Sequence, residues 1–236
     1  GCCEIENKIG EKYTLDTVVM FPGQGSQTKG MFSDYDNDIE FQEMISKANE
    51  ILGYDIGEVC ETGIGLNDTD KSQVAILLAS VAAFQKMKNT DDFKHIKTMC
   101  GFSLGEYSAL VCSGAISFDD VVKLIKIRGE SMQKACEVQK TTMMNCIGVS
   151  DDKLEDTVKK YPDSIIANYL FPKARVLSGC ESDLQSIKTE LDKHAMKISF
   201  LNVAGAFHSK YMEQAKESLV AILDEIEIKS PKYSIY

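Results

Sequence analysis

The feature that most constrains this chain is a serine set between two glycines, Gly101-Phe-Ser-Leu-Gly105. An apolar run, Ile96 to Cys100, lies just before it and a helix-forming run, Glu106 to Ser113, just after it. A strand that stops at a tight turn and passes directly into a helix lifts the turn residue above the edge of a sheet. Glycine on both sides lets the backbone bend sharply and lets a ligand come close. The helix start behind Ser103 and the backbone N–H of Leu104 favour negative charge beside the hydroxyl. This is the spacing of a nucleophile elbow, but a tight turn around a small residue satisfies the same five positions, and the motif alone leaves both readings open.

A serine nucleophile needs a base, and the chain has three histidines. His95 lies in DDFKHIK and His194 in LDKHAMK, both charged stretches that suit solvated residues. His208 sits in Val203-Ala-Gly-Ala-Phe-His-Ser209, where a strand gives way to a small-residue turn before a helix, and elimination favours it as the partner. Gln24 lies between Gly23 and Gly25 after the apolar run Thr17 to Phe21. The loop lacks the Lys-Ser/Thr of a P-loop and the three-glycine dinucleotide pattern. It reads either as a plain turn or as a backbone N–H that completes an oxyanion hole with Leu104.

The surrounding pattern predicts an α/β protein. Thr17 to Phe21 reads as a buried strand, residues 37–52 and 70–88 as helices, Ile96 to Cys100 as a strand, and Glu106 to Ser113 and Phe118 to Val138 as helices. After about residue 140 the texture changes. Short strands at Met143 to Val149, Ser164 to Ala167, Arg175 to Ser178 and Lys197 to Val203 alternate with helices at Asp151 to Lys160 and Ser182 to His194. That βαββαβ order predicts a ferredoxin-like small subdomain inserted in an α/β-hydrolase-like large domain. The expected boundaries are 16–138 for the first part of the large domain, 139–203 for the subdomain and 204–236 for the continuation. A last helix is expected over Ser209 to Ile228 and a strand from Tyr233 to Tyr236.

Composition narrows the chemistry. A formal net charge of −10 argues against nonspecific nucleic-acid binding, and no apolar run approaches the ~20 residues of a membrane span. The eight cysteines, Cys2 and Cys3 included, form no CxxC pair and no zinc spacing, so they predict mostly buried thiols in a reducing compartment and no metal. The chain opens Gly-Cys-Cys rather than Met, so its natural start is expected to have been processed or cut away, together with any address segment it carried.

Taken together, FPGQGSQ (Phe21 to Gln27), GFSLGEYSAL (Gly101 to Leu110), Arg128 with Met132, ANYLFP (Ala167 to Pro172) and GAFHS (Gly205 to Ser209) resemble one family, the malonyl-CoA:acyl carrier protein transacylases and the acyltransferase domains of fatty-acid and polyketide synthases. The wording of the last two motifs is most similar to the plant and algal organelle branch. The resemblance implies Ser103 as the acylated nucleophile, His208 as general base, and the Gln24 and Leu104 amides as oxyanion hole. It implies Arg128 as the grip on the malonyl carboxylate, a role suited to a planar guanidinium, and Phe207 as the bulk that excludes an α-methyl branch. Without the resemblance, Arg128 in KLIKIRGES reads as a surface salt bridge. Met132, Gln73 and Asn168 are expected to line the pocket, although core packing fits them equally.

The implied reaction is ping-pong transfer from malonyl-CoA to the phosphopantetheine thiol of acyl carrier protein in type II fatty-acid synthesis, with no permanently bound cofactor. A hydrolase of the same fold and a noncatalytic carrier-protein docking domain are the alternatives. The setting implied is a plastid-type organelle or mitochondrion, with a bacterial-type cytoplasm as the alternative. Phe102 stands where many relatives have His, and Leu170, Phe171 and Ala174 replace polar residues, so contacts to coenzyme A do not carry over there. The resemblance also implies elements beyond Tyr236, among them a glutamine that orients the histidine.

Overall fold

In a computed structural model of the chain, residues 16–236 are described throughout. Two short strands before them, β1 (Ile5–Glu6) and β2 (Lys12–Tyr13), are described by their antiparallel backbone pairing alone. Cys2 and Cys3 lie outside the described residues. The chain forms two compact units, Gly1–Gly129 with Ile222–Tyr236, and Glu130–Ala221.

In the first unit, β3 (Thr17–Phe21) leads through a short loop and a 3₁₀ turn to α1 (Ile39–Leu52). Asp38 caps α1 by accepting from the Phe41 N–H at 3.1 Å, and Gly53 ends it at φ 81°. Phe41, Met44, Ile45, Ala48 and Leu52 form its buried stripe. The next helix, α2 (Ile56–Thr62), escapes a periodicity search because it is a single short segment with only Ile56 and Cys60 buried. It depends instead on the Asp55 side chain, which accepts from the Gly57 and Glu58 N–H groups.

Helix α3 (Thr69–Met87) is the centre of this unit. Five consecutive residues, Val74 to Leu78, are buried, as in a helix covered on all sides. β4 (Ile96–Gly101) follows, then α4 (Leu104–Cys112) and α5 (Phe118–Val138). The sheet is parallel, in the order β3, β4, β9, where β9 is Ser234–Ile235 near the end of the chain. β3 is not the fully buried strand its apolar run predicts: Val18 and Met20 are 54% and 77% exposed. Among the described strands it pairs only with β4, so it is an edge strand, and only the side chains on one face reach the core.

The second unit runs β5 (Thr141–Ile147), α6 (Asp151–Val158), β6 (Ser164–Phe171), β7 (Ala174–Cys180), α7 (Glu181–Leu191), β8 (Lys197–Phe200) and all but the last two residues of α8 (Glu213–Leu223). Its sheet is antiparallel throughout, in the order β6, β7, β5, β8. Counted within the unit that order is 2-3-1-4, the split βαβ arrangement of a ferredoxin-like fold. Met144, Cys146 and Leu177 from the sheet pack on Leu154 and Val158 of α6 and on Leu184, Ile187 and Leu191 of α7.

Several elements differ in extent from the sequence reading: β8 ends at Phe200 rather than Val203, and α7 ends at Leu191 rather than His194. β6 continues to Phe171 because Tyr169 and Phe171 still pair, with Arg175 and Ala174. β5 starts earlier and stops at Ile147, before Gly148 at φ 93°. The last helix begins only after a 3₁₀ turn, Lys210–Met212, capped by the Ser209 side chain, and ends at Leu223.

Candidate active site

The site is built where β4 meets α4. Ser103 occupies the junction at φ 53°, ψ −102°, a conformation that costs a non-glycine residue on the order of 1–3 kcal/mol and persists only when its surroundings impose it. Here the neighbouring glycines make room for it. A Cβ on Gly101 would collide with the backbone of Gly105 and Glu106, and one on Gly105 with the carbonyl of Phe21. With both absent, the Gly105 N–H reaches the Phe102 carbonyl at 3.0 Å and the Glu106 N–H reaches that of Ser103 at 3.2 Å. Leu104 opens the helix, so its N–H belongs to the first turn, whose amides have no acceptor within the helix.

Arg128 reaches this serine from α5. It is 7% exposed; its Nη2 donates to Ser103 Oγ at 3.2 Å and its Nη1 to Gln73 Oε1 at 2.5 Å. Gln73, fully buried on α3, in turn donates from Nε2 to Gln24 Oε1 at 3.5 Å. Gln24, Gln73, Arg128 and Ser103 thus form one polar chain inside the first unit. The guanidinium also stands 5.4 Å from the ring centroid of Tyr107, one helical turn beyond the serine. Burial pushes the Arg128 pKa down, while Tyr107 and Glu106 push it up. A guanidinium stays protonated at neutral pH even so. The result is a buried cation whose two Nη atoms donate to an amide oxygen and a hydroxyl, with Tyr107 also hydrogen-bonded to it and the charge of Glu106 acting on it.

The second unit holds the remaining candidates. His208 is exposed and adopts φ 58°, the left-handed region. Phe207 is buried in one apolar cluster with Met132, Met143 and Val176, so Met132 sits beside the residue expected to limit the pocket. Asn168 is half-buried on β6, opposite Val176. His95 closes a 3₁₀ turn before β4, and His194 is exposed after α7. Tyr107 and Ser178 are functional candidates that the motif reading passed over. Tyr107 was visible as an aromatic one turn after the serine, and Ser178 as the one hydroxyl in the buried run Ala174 to Gly179.

The cysteines stand apart from this chemistry. Burial pushes the thiols of Cys60 and Cys112 up to about 12 and those of Cys136 and Cys146 up to about 11. Cys180, hydrogen-bonded to Ser182, is shifted the other way. Among the described residues no group of His, Cys, Asp and Glu is placed to hold a metal ion.

Residues 18–236 match the family described as the acyl transferase domain. The chain belongs to that family. It is 34% identical over 236 residues to the human mitochondrial malonyl-CoA-acyl carrier protein transacylase, covering 93% of this chain and 60% of the relative. The Haemophilus influenzae malonyl CoA-acyl carrier protein transacylase is 33% identical over 227 residues, covering 92% and 72%. The chain therefore spans about three fifths of the human relative's length. Among solved structures, a malonyl-transacylase in complex with its type II PKS acyl-carrier protein superposes with a TM-score of 0.86 at 29% identity, over 94% of this chain and 74% of that one. The Streptococcus pneumoniae MCAT gives 0.83 at 31% identity, over 92% and 73%. As members of this acyl transferase family, these chains share with the present one an α/β-hydrolase-like large domain carrying a ferredoxin-like insertion to the extent that the superpositions cover.

Proposed function

We propose that this chain carries the acyl-transfer site of a malonyl-CoA:acyl carrier protein S-malonyltransferase. The observation that carries the reading is the buried Arg128 guanidinium, which donates to the nucleophile's own Ser103 Oγ and to Gln73 Oε1. Burying a cation is costly, and a ligand carboxylate beside the nucleophile offsets that cost through paired, charge-assisted hydrogen bonds. A malonyl thioester carries such a carboxylate, whereas an ordinary acyl thioester does not. The names of the human and Haemophilus relatives support the same substrate and the same carrier-protein acceptor.

In this reading Ser103 Oγ attacks the thioester carbonyl carbon while His208 takes its proton. The Gln24 and Leu104 amides hold the oxyanion, the C–S bond breaks, and coenzyme A leaves with the proton from His208. The carrier's pantetheine thiol then gives its proton to His208 and attacks the malonyl ester, and Ser103 leaves as the restored hydroxyl. Phe207 and Met132 close the apolar side of the pocket, and Gln73 and Asn168 line it. No step calls on a resident cofactor or metal, so a chelator is expected to leave the rate unchanged.

The reading includes an organelle setting, mitochondrial or plastid, with a bacterial-type cytoplasm as the alternative; microscopy of the tagged full-length protein tests it. The activity itself is tested by intact-protein mass after brief exposure to malonyl-CoA or acetyl-CoA, with Ser103→Ala as control. A malonyl adduct absent from the control and discharged by carrier-protein thiol supports transfer. An adduct discharged as fast by water would make the protein a hydrolase, and no adduct from any thioester would leave a docking domain.

A further inference from the structure

The turn that bears His208 is held from three sides inside the second unit. The Ala206 N–H donates to Thr141 Oγ1 at 3.0 Å, Ser209 Oγ donates to the Ala206 carbonyl at 2.5 Å, and Ser178 Oγ donates to the Phe207 carbonyl at 2.6 Å. Gly205 lies so close to α5 that a Cβ there would stand 2.5 Å from Cys136 Sγ. Of the three anchors, Ser178 is the least explained by folding alone. It is fully buried on β7, in a run that is otherwise apolar apart from Arg175, and a hydroxyl in such a place is tolerated only when its hydrogen bond is made.

The carbonyl it holds belongs to the peptide joining Phe207 to His208. Turning that peptide changes ψ of Phe207 and φ of His208 together, so pinning its oxygen fixes both. His208 at φ 58° is a conformation a histidine keeps only when neighbouring groups impose it. We propose that Ser178 is a positioning residue which, by fixing the Phe207–His208 peptide, aims two functional side chains at once: the imidazole that moves the proton and the ring that limits the acyl group. The inference rests on the roles proposed above for His208 and Phe207.

The test compares Ser178→Ala and Ser178→Thr with Ser164→Ala. Ser164 is a buried serine on β6 whose Oγ donates to the Tyr161 carbonyl at 2.8 Å, outside the His208 turn. Each variant is measured for kcat and KM with malonyl-CoA, for the ratio of methylmalonyl to malonyl transfer, and for amide hydrogen exchange across residues 203–212. Ser178→Ala is expected to lower kcat roughly ten- to hundredfold with KM little changed, because a small misplacement of a catalytic group costs about that much. The methylmalonyl ratio rises, and exchange in the turn speeds up about tenfold as the opening of that segment becomes easier. Ser178→Thr restores all three, and Ser164→Ala moves only the melting temperature.

Wild-type selectivity and exchange in Ser178→Ala, or equal changes in Ser164→Ala, would overturn the proposal. Should Ser178→Ala fail to fold, Ser178→Cys keeps the volume with a weaker donor, and the same readouts must then fall between wild type and loss. If wild type itself forms no malonyl adduct, the functional reading fails, while the exchange comparison still decides whether Ser178 anchors the turn.

Discussion

Replacing Arg128 with methionine separates the substrate grip from the rest of the site. Methionine fills much of the same volume in a pocket where the native side chain is 7% exposed, but it offers no donor to Ser103, to Gln73 or to a substrate. Two charge-assisted hydrogen bonds to a carboxylate are worth about 1.5–3 kcal/mol each, so their loss removes about 3–6 kcal/mol, or about 10²- to 10⁴-fold in kcat/KM for malonyl-CoA. Acetyl-CoA has no carboxylate and loses none of this; removal of a cation that must otherwise be desolvated leaves its acylation rate equal or higher. Stability changes little by comparison. Loss of the bond from Arg128 to Gln73 Oε1 costs about 1–3 kcal/mol, and relief of the buried charge offsets it. Stopped reactions read by intact mass, with both thioesters at matched concentration, give the two rates directly. If malonyl and acetyl transfer fall by the same factor, Arg128 acts on the fold or on Ser103 alone, and its selection of a carboxylate is refuted.

Four further outcomes follow from the same geometry. Gly105→Ala drives a methyl group into the Phe21 carbonyl, and since neither β3 nor α4 can move without breaking the elbow, the variant is expected to lose soluble folded protein; a melting temperature near that of wild type would contradict this. Phe207→Ala opens the apolar cluster around Met132, Met143 and Val176, costing about 3–5 kcal/mol in urea unfolding while raising methylmalonyl transfer relative to malonyl. Transfer to an acidic carrier protein, which must meet a chain of net charge −10, is expected to depend on a local basic patch and to slow with added salt, while acylation by malonyl-CoA is less affected. The Cys60 and Cys112 thiols, pushed up to about 12, are only about 10⁻⁴ thiolate at pH 8, so they should resist a thiol reagent until the protein unfolds. Because folding raises these pKa values above their unfolded value of 9.0, the stability they contribute is complete below pH 9 and declines as pH rises toward about 12, which denaturation titrations at alkaline pH measure.

Much of the fold was legible because its periods are strong. The stripe Phe41, Met44, Ile45, Ala48, Leu52 declares α1, and the alternation of short strands and amphipathic helices after residue 140 declares the ferredoxin-like unit. What stayed hidden depends on partners that no local window contains. Four apolar residues in a row at Val18 to Phe21 look the same whether one face or both is covered, and only the pairing partner shows that β3 lies at an edge. α2 has too few buried positions to show a period, and it forms because Asp55 and the neighbouring Asn49 satisfy its first amides.

Arg128 shows the same limit for the site, and it also shows a signal that was present. In KLIKIRGES it reads as one more surface cation, yet its spacing from Val121, Leu124 and Ile125 puts it on the buried stripe of α5, at i+7, i+4 and i+3. A lone charge on an apolar stripe is a demand for a partner, and in the folded chain that demand is met by Gln73, the hydroxyl of Ser103 and Tyr107. Gln73, fully buried on α3, answers that demand with its Oε1, and its Nε2 in turn donates to Gln24. These anomalies sit on three different elements, α3, α5 and the elbow before α4, and each accounts for another. That mutual dependence is stronger ground for a site designed around an anionic acyl group than the elbow motif alone, which a plain turn could imitate.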